Sequence, residues 1–177
     1  MAKPRIVAWF GHTTTEPDFE SLYQAELPRI FNFFRYRLGD SQLAEDLTSE
    51  TFEKAWRNRD RYRSDLAAFS TWLFTIAQRV AVDHLRKQRP TVSLDEVVRL
   101  SDDENTEVSA QKNADFKRLS VLLTRLAERD RELVALKYGA GLTNRTIAGL
   151  TGLTESNVGV LLHRALQFLR VEWEAKS

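Results

Sequence analysis

The chain has no cysteine among its 177 residues, so it holds neither a disulfide framework nor a thiolate metal site. Its three histidines (His12, His84 and His163) are scattered, unlike a ligand cluster. Glycine and proline are sparse, at 7 and 4 residues, which argues against a low-complexity or turn-dominated architecture. No apolar run approaches the length of a membrane span, and Ile6–Phe10, behind Lys3 and Arg5, is too short for a signal-peptide core. A soluble cytoplasmic protein is expected. Its 42% hydrophobic content suffices for one large core or two small ones.

The formal net charge of +1 averages unlike segments. Residues 54–90 carry Lys54, Arg57, Arg59, Arg61, Arg63, Arg79, Arg86, Lys87 and Arg89 against Asp60, Asp65 and Asp83. The next stretch, 91–115, inverts that balance, and the chain turns basic again after Phe116.

Hydrophobic spacing predicts helices throughout, and the fold class is all-α. After a leader over 1–17, the stripe Phe19, Leu22, Tyr23, Leu27, Ile30, Phe31 and Phe34 marks a helix to Leu38, with Pro28 expected to kink or split it. Asp40 or Ser41 caps a second helix running to about Asn58, which buries Leu43, Ala44, Leu47, Phe52, Ala55 and Trp56. Residues 57–65 form a basic junction. Residues 67–90 then form a third helix, with Phe69, Leu73, Ile76, Val80 and Leu85 inward. Its aromatics (Phe69, Trp72, Phe74) and cationic end (Arg86, Lys87, Arg89) offer what unstacked bases need, planes to stack on and charge for phosphates. The bland alternative is a core helix with a solvated basic end. Residues 91–115 read as an acidic flexible linker, with a short helical piece near 94–100. Helices follow over 116–126 and 128–138, punctuated by Gly139 and Gly141.

Residues 142–170 have helix-turn-helix spacing. Thr143 caps a short helix through Leu150, Ala148 permits close crossing, Gly152 suits a left-handed turn, Thr154 caps a second helix, and Val158 plugs the core with Ile147, Leu153 and Leu161. The second helix exposes Glu155, Ser156, Asn157, Gly159, Val160, His163 and Arg164. Early residues of such a helix reach base edges in the major groove while cations hold phosphates. An ordinary helical hairpin would share the glycine turn but not require those exposed positions.

Together, Ala44–Arg63, Ala67–Arg89 and Leu123–Arg170 resemble the bacterial extracytoplasmic-function (ECF) sigma factors, group IV of the sigma-70 family. The resemblance implies two small helical domains, region 2 over 18–90 and region 4 over 116–177, joined by the acidic linker 91–115. It implies a promoter-specificity subunit of RNA polymerase that directs initiation and assists melting. On this resemblance Glu45, Asp46, Ser49, Glu50, Glu53 and Arg57 face the clamp of the largest polymerase subunit. The flap of the second-largest subunit is a further partner. Arg61, Arg63, Ser70, Trp72, Arg79, Asp83, Arg86 and Lys87 hold the −10 element and capture an unpaired base. Arg145, Thr154, Glu155, Ser156, Asn157, Val160, His163 and Arg164 read the −35 duplex. The linker threads towards the polymerase cleft, and an anti-sigma factor is a further expected partner. No cofactor, metal, catalytic residue or small-molecule substrate is implied.

Several positions depart from the family pattern. Ser49 stands where Gln is common, Arg79 where Asn is common, and Thr146 where a Glu would complete a capping box with Thr143. Gly159 and Leu161 replace frequent cations, which weakens phosphate anchoring, and a mid-helix glycine costs about 1 kcal/mol. Two other classes compete. A helix-turn-helix regulator acting without polymerase would not need the Asp46–Arg57 face or the aromatics of 69–74. A protein-binding adaptor would leave the basic tail unexplained.

Overall fold

In the computed structural model, residues 19–88 and 107–175 are described. They form seven α-helices and, among the described residues, no strand. These are α1 (Phe19–Leu38), α2 (Ser41–Arg57), α3 (Phe69–Gln88), α4 (Glu107–Thr124), α5 (Glu128–Val134), α6 (Asn144–Thr151) and α7 (Glu155–Glu174). A 3-10 turn (Arg59–Arg61) follows α2, and a π turn (Ala135–Gly139) extends α5.

Local chemistry sets most boundaries. Gly39, at φ 76°, closes α1 in the left-handed region, with its N–H donating to Arg35 O at 2.9 Å. Asp40 caps α2 by accepting from the Leu43 N–H at 3.0 Å. Pro28 does not split α1, contrary to one of the two expectations. Both Pro28 and Gln24, whose carbonyl loses its partner, lie on the exposed side where water substitutes. The acidic segment also ends earlier than expected. α4 begins at Glu107, so residues 107–115 are helix rather than linker. Glu, Ala, Gln and Lys in that stretch are good helix formers. The leader 1–17, the linker residues 91–106 and the short helix expected at 94–100 lie outside the described residues.

α1 is the central element. One side packs on α2 and α3 through Ile30, Phe33, Phe34, Leu73 and Phe74, all fully buried. The Phe33 ring meets Phe34 at 5.2 Å and Phe74 edge-on at 5.9 Å. Burying each such side chain stabilises by roughly 1.5–3 kcal/mol. The other side of α1 packs on α4, α5 and the π turn. Arg35 lies 3.7 Å over the Phe116 ring, and burial pulls its guanidinium below the ordinary value. Arg29 Nε donates to Ala140 O at 2.9 Å, and Arg37 pairs with Glu132 at 3.1 Å. The two groups of helices, α1–α3 and α4–α7, are therefore joined along α1 in one buried cluster.

Some expected core positions shift. Trp56 is 37% exposed instead of buried, packing edge-on against Phe19 at 5.1 Å beneath Arg59. Thr48 and Thr51 take inward places on α2 because their hydroxyls donate to Ala44 O and Leu47 O one turn back. On α7 the inward leucine is Leu162, with Leu161 half-buried at the edge.

Candidate nucleic-acid interface

The first candidate surface is built by α3 and the loop before it. Tyr62 packs tilted against Trp72, at 5.2 Å, and edge-on against Phe69, at 5.6 Å, which pins the loop to the start of the helix. That contact carries the exposed neighbours Arg61 and Arg63 to the same end as Trp72. Further along α3, Arg79, Asp83, Arg86 and Lys87 are exposed at steps that follow one helical stripe, while Leu73, Ala77, Val80 and Ala81 fill the opposite side. Cations and a half-buried indole thus share a ledge supported by the core.

Two of these residues are already engaged. Arg63 forms a bidentate pair with Asp65, at 2.9 and 2.7 Å, which lowers the Asp65 carboxyl pKa and raises that of Arg63. Ser70 donates to Glu26 at 3.2 Å and accepts from Arg29 at 3.1 Å, so its hydroxyl serves a network between α1 and α3. Leu66, 75% exposed in the same loop, escaped sequence reasoning because it interrupts a polar run without any helical period.

The second surface is the α6–α7 pair. Thr143 accepts from the Thr146 N–H at 3.1 Å, and Thr154 accepts from the Asn157 N–H at 3.2 Å. Thr146, lacking a carboxylate, uses its own hydroxyl against Thr143 at 2.9 Å. Gly152 adopts φ 71°, and Ile147 and Val158 are fully buried beneath the turn. Exposed above it are Arg145, Thr154, Glu155, Ser156, Asn157, Val160, His163 and Arg164. Arg145 lies 3.6 Å from Glu155, an exposed pair that ties the first helix to the start of the second.

The third surface lies on α2. Glu45, Asp46, Ser49, Glu53 and Arg57 are exposed and Glu50 is half-buried. Lys54–Glu50 at 2.7 Å and Arg57–Glu53 at 2.5 Å order its acidic side chains along the helix. Sequence reasoning missed Glu26 and Arg37, both buried on α1. Their signal was present, since positions 26, 30, 33 and 37 share one helical stripe, but a charge there reads as solvent-facing until its partner is known. Among the described residues no three His, Cys, Asp or Glu side chains gather to hold a metal ion, and no helix is long and apolar enough to cross a membrane.

The Sigma-70 region 2 family matches residues 22–91, and the Sigma-70, region 4 family matches residues 116–169. The RNA polymerase sigma factor CarQ of Myxococcus xanthus is 31% identical, over 86% of this chain and 87% of its own length. The ECF RNA polymerase sigma factor BldN of Streptomyces coelicolor is 30% identical over 85% of this chain, which spans 58% of that longer protein. The fold is that of the sigma factor RpoE of Bartonella quintana, solved with the anti-sigma factor NepR, at a TM-score of 0.69 and 19% identity, covering 90% of this chain and 99% of RpoE. With both sigma-70 regions present in order and relatives of this kind along most of its length, the chain belongs to the ECF sigma factors of the sigma-70 family.

Proposed function

We propose that this chain directs core RNA polymerase to specific promoters and helps open them, with no chemistry of its own. The observation that carries the reading is the capped, glycine-turned α6–α7 pair in the same chain as the aromatic and basic ledge of α3. Residues 18–90 and 116–177 act as the −10 and −35 readers, with 91–115 between them. α7 lays Glu155–Arg164 into the major groove of the −35 element, with Arg145 beside it. On α3 the stripe Arg79, Arg86 and Lys87 holds the strand phosphates. Trp72 offers a plane to an extruded base, worth roughly 1–3 kcal/mol per stacked base. Melting is favoured because the open strand binds this ledge better than the duplex does.

The acidic face of α2 docks on the clamp of the largest polymerase subunit, and region 4 meets the flap of the second-largest. Such a subunit works in the cytoplasm, beside the promoter DNA it reads. An anti-sigma factor is a fitting regulator, as the solved relative RpoE was captured with NepR. The test combines the chain with core polymerase and a promoter carrying a pre-melted −10 bubble. Binding to core and a promoter-dependent transcript are expected, and absence of both would overturn the assignment.

A further inference from the structure

We propose that Val160 is a specificity-determining residue, which reads one thymine of the −35 duplex through its C5-methyl group. The inference rests on the sigma-factor reading above and names the base that one side chain of that surface takes.

The register of α7 puts an apolar side chain at its outermost point. Val158, Leu162, Ala165 and Leu169 are buried and fix the inward direction of the helix. At about 100° per residue, Val160 points about 170° away from that direction, further round than any other residue of the first two turns. It is 47% exposed. Ser156 and His163 flank it on one side, Asn157 and Arg164 on the other, and all four are exposed. The left-handed Gly152 and the Thr154 cap fix where α7 begins, so this register is set by the local backbone.

The cations stand elsewhere. From Glu155 to His163 the helix holds no lysine or arginine. Arg164 lies on one flank, and Arg145 of α6 reaches the opposite flank beside Glu155, 3.6 Å away. Cations at the two margins suit the phosphates on either side of a groove about 12 Å wide, and they leave its floor to Val160. An isopropyl group neither donates nor accepts a hydrogen bond. Against guanine, adenine or cytosine it would strip water from polar base edges and replace none of those bonds. Thymine is the base that presents an apolar group in the major groove, its C5-methyl. Val160 therefore favours thymine by contact and disfavours the other bases through hydrogen bonds left unmade. Ser156, one turn earlier, bonds to either kind of edge and does not supply that discrimination.

The test uses the full chain bound to core polymerase, with duplexes that carry a pre-melted −10 bubble and a randomised −35 stretch. Bound duplexes are recovered and sequenced. The wild-type complex should select thymine at one fixed position, and Val160→Ala should lose that preference while keeping the rest of the selected sequence. Deoxyuridine in place of that thymine removes the methyl group alone, and should weaken wild-type binding about four-fold, the contribution of one buried methyl. The same replacement should leave Val160→Ala binding unchanged, and 5-methylcytosine should outbind cytosine there for the wild type only. Position 160 is exposed and alanine is the better helix former, so helical circular dichroism should be retained. The deoxyuridine series on the wild type decides the matter even without the variant. Absence of a fixed thymine, equal binding of thymine and deoxyuridine, or uracil sensitivity that persists in Val160→Ala overturns the assignment of Val160 alone. So does weaker binding of Val160→Ala to core polymerase without DNA, which would make the residue a protein contact. A wild-type complex that selects no sequence and never initiates overturns the sigma-factor reading as well.

Discussion

Arg37 on α1 and Glu132 on α5 meet at 3.1 Å with the guanidinium almost wholly removed from water. Burial of this kind makes the pair asymmetric, because the cost of losing one partner differs from the cost of losing both. Glu132→Ala leaves Arg37 charged and buried with Glu128 at 3.8 Å as its remaining counter-ion. Breaking a fully buried pair costs about 3–5 kcal/mol, and the 20% exposure of Glu132 lowers the expectation to about 2 kcal/mol. Arg37→Met removes the charge with its desolvation and should cost less than Glu132→Ala. Urea unfolding of both variants checks the order; the reverse order would mean that Arg37 is solvated in the folded chain.

Arg79 and Arg86 project from α3 on the side opposite Leu73, Ala77 and Val80, and neither supports the core. Arg79→Ala and Arg86→Ala should therefore change stability by less than about 0.5 kcal/mol. Each should lower the yield of open promoter complex and flatten the salt dependence of single-strand binding by about 0.7 in log–log slope. Trp72→Ala should behave differently, since its ring packs on Tyr62 and Phe69. It should reduce opening and also destabilise by at least about 1 kcal/mol, as aromatic pairs contribute about 0.5–1.5 kcal/mol each beyond their burial. Unfolding curves and open-complex yields taken together separate the two classes. Unchanged yield in both arginine variants would move base capture away from this ledge.

These contrasts show what a chain of this kind reveals before it is folded. The caps of α2, α6 and α7 and the glycine turn were legible because each is decided within four residues: an oxygen, an N–H three positions on, a backbone that one residue type adopts cheaply. Burial of Arg37 was not, because its partner Glu132 stands on a distant helix; Glu26 pairs with Arg29 one turn on, but its second partner, Ser70, comes from α3. Gly139 read as punctuation at a helix end, whereas its smallness is required by the Asn32 carbonyl on α1. The start of α4 was hidden by a shortage of large apolar residues, although the helix propensity of its residues was there to be summed. Local chemistry is written in the sequence; the packing of the α4–α7 group onto α1 is a property of the fold.

Two glycines of the helix-turn-helix should respond to alanine in opposite directions. Gly152, at φ 71°, has nothing within 4 Å of a would-be Cβ, so Gly152→Ala costs backbone strain alone, about 1–2 kcal/mol. Gly159 lies within α7, where its Cβ would meet the Asn144 amide nitrogen at an ordinary 3.7 Å. Gly159→Ala should stabilise by about 0.5–1 kcal/mol through lower unfolded-state entropy and better helix propensity. In a chain of this size about 1 kcal/mol moves Tm by about 2–4 °C, so calorimetry should show one variant melting below the parent and the other above it. If both melted lower, the space beside Asn144 would be closed to any side chain. Gly159 would then be a packing requirement of the α6–α7 crossing, and the departure from a cation at that position would follow from helix approach and not from weaker phosphate contact.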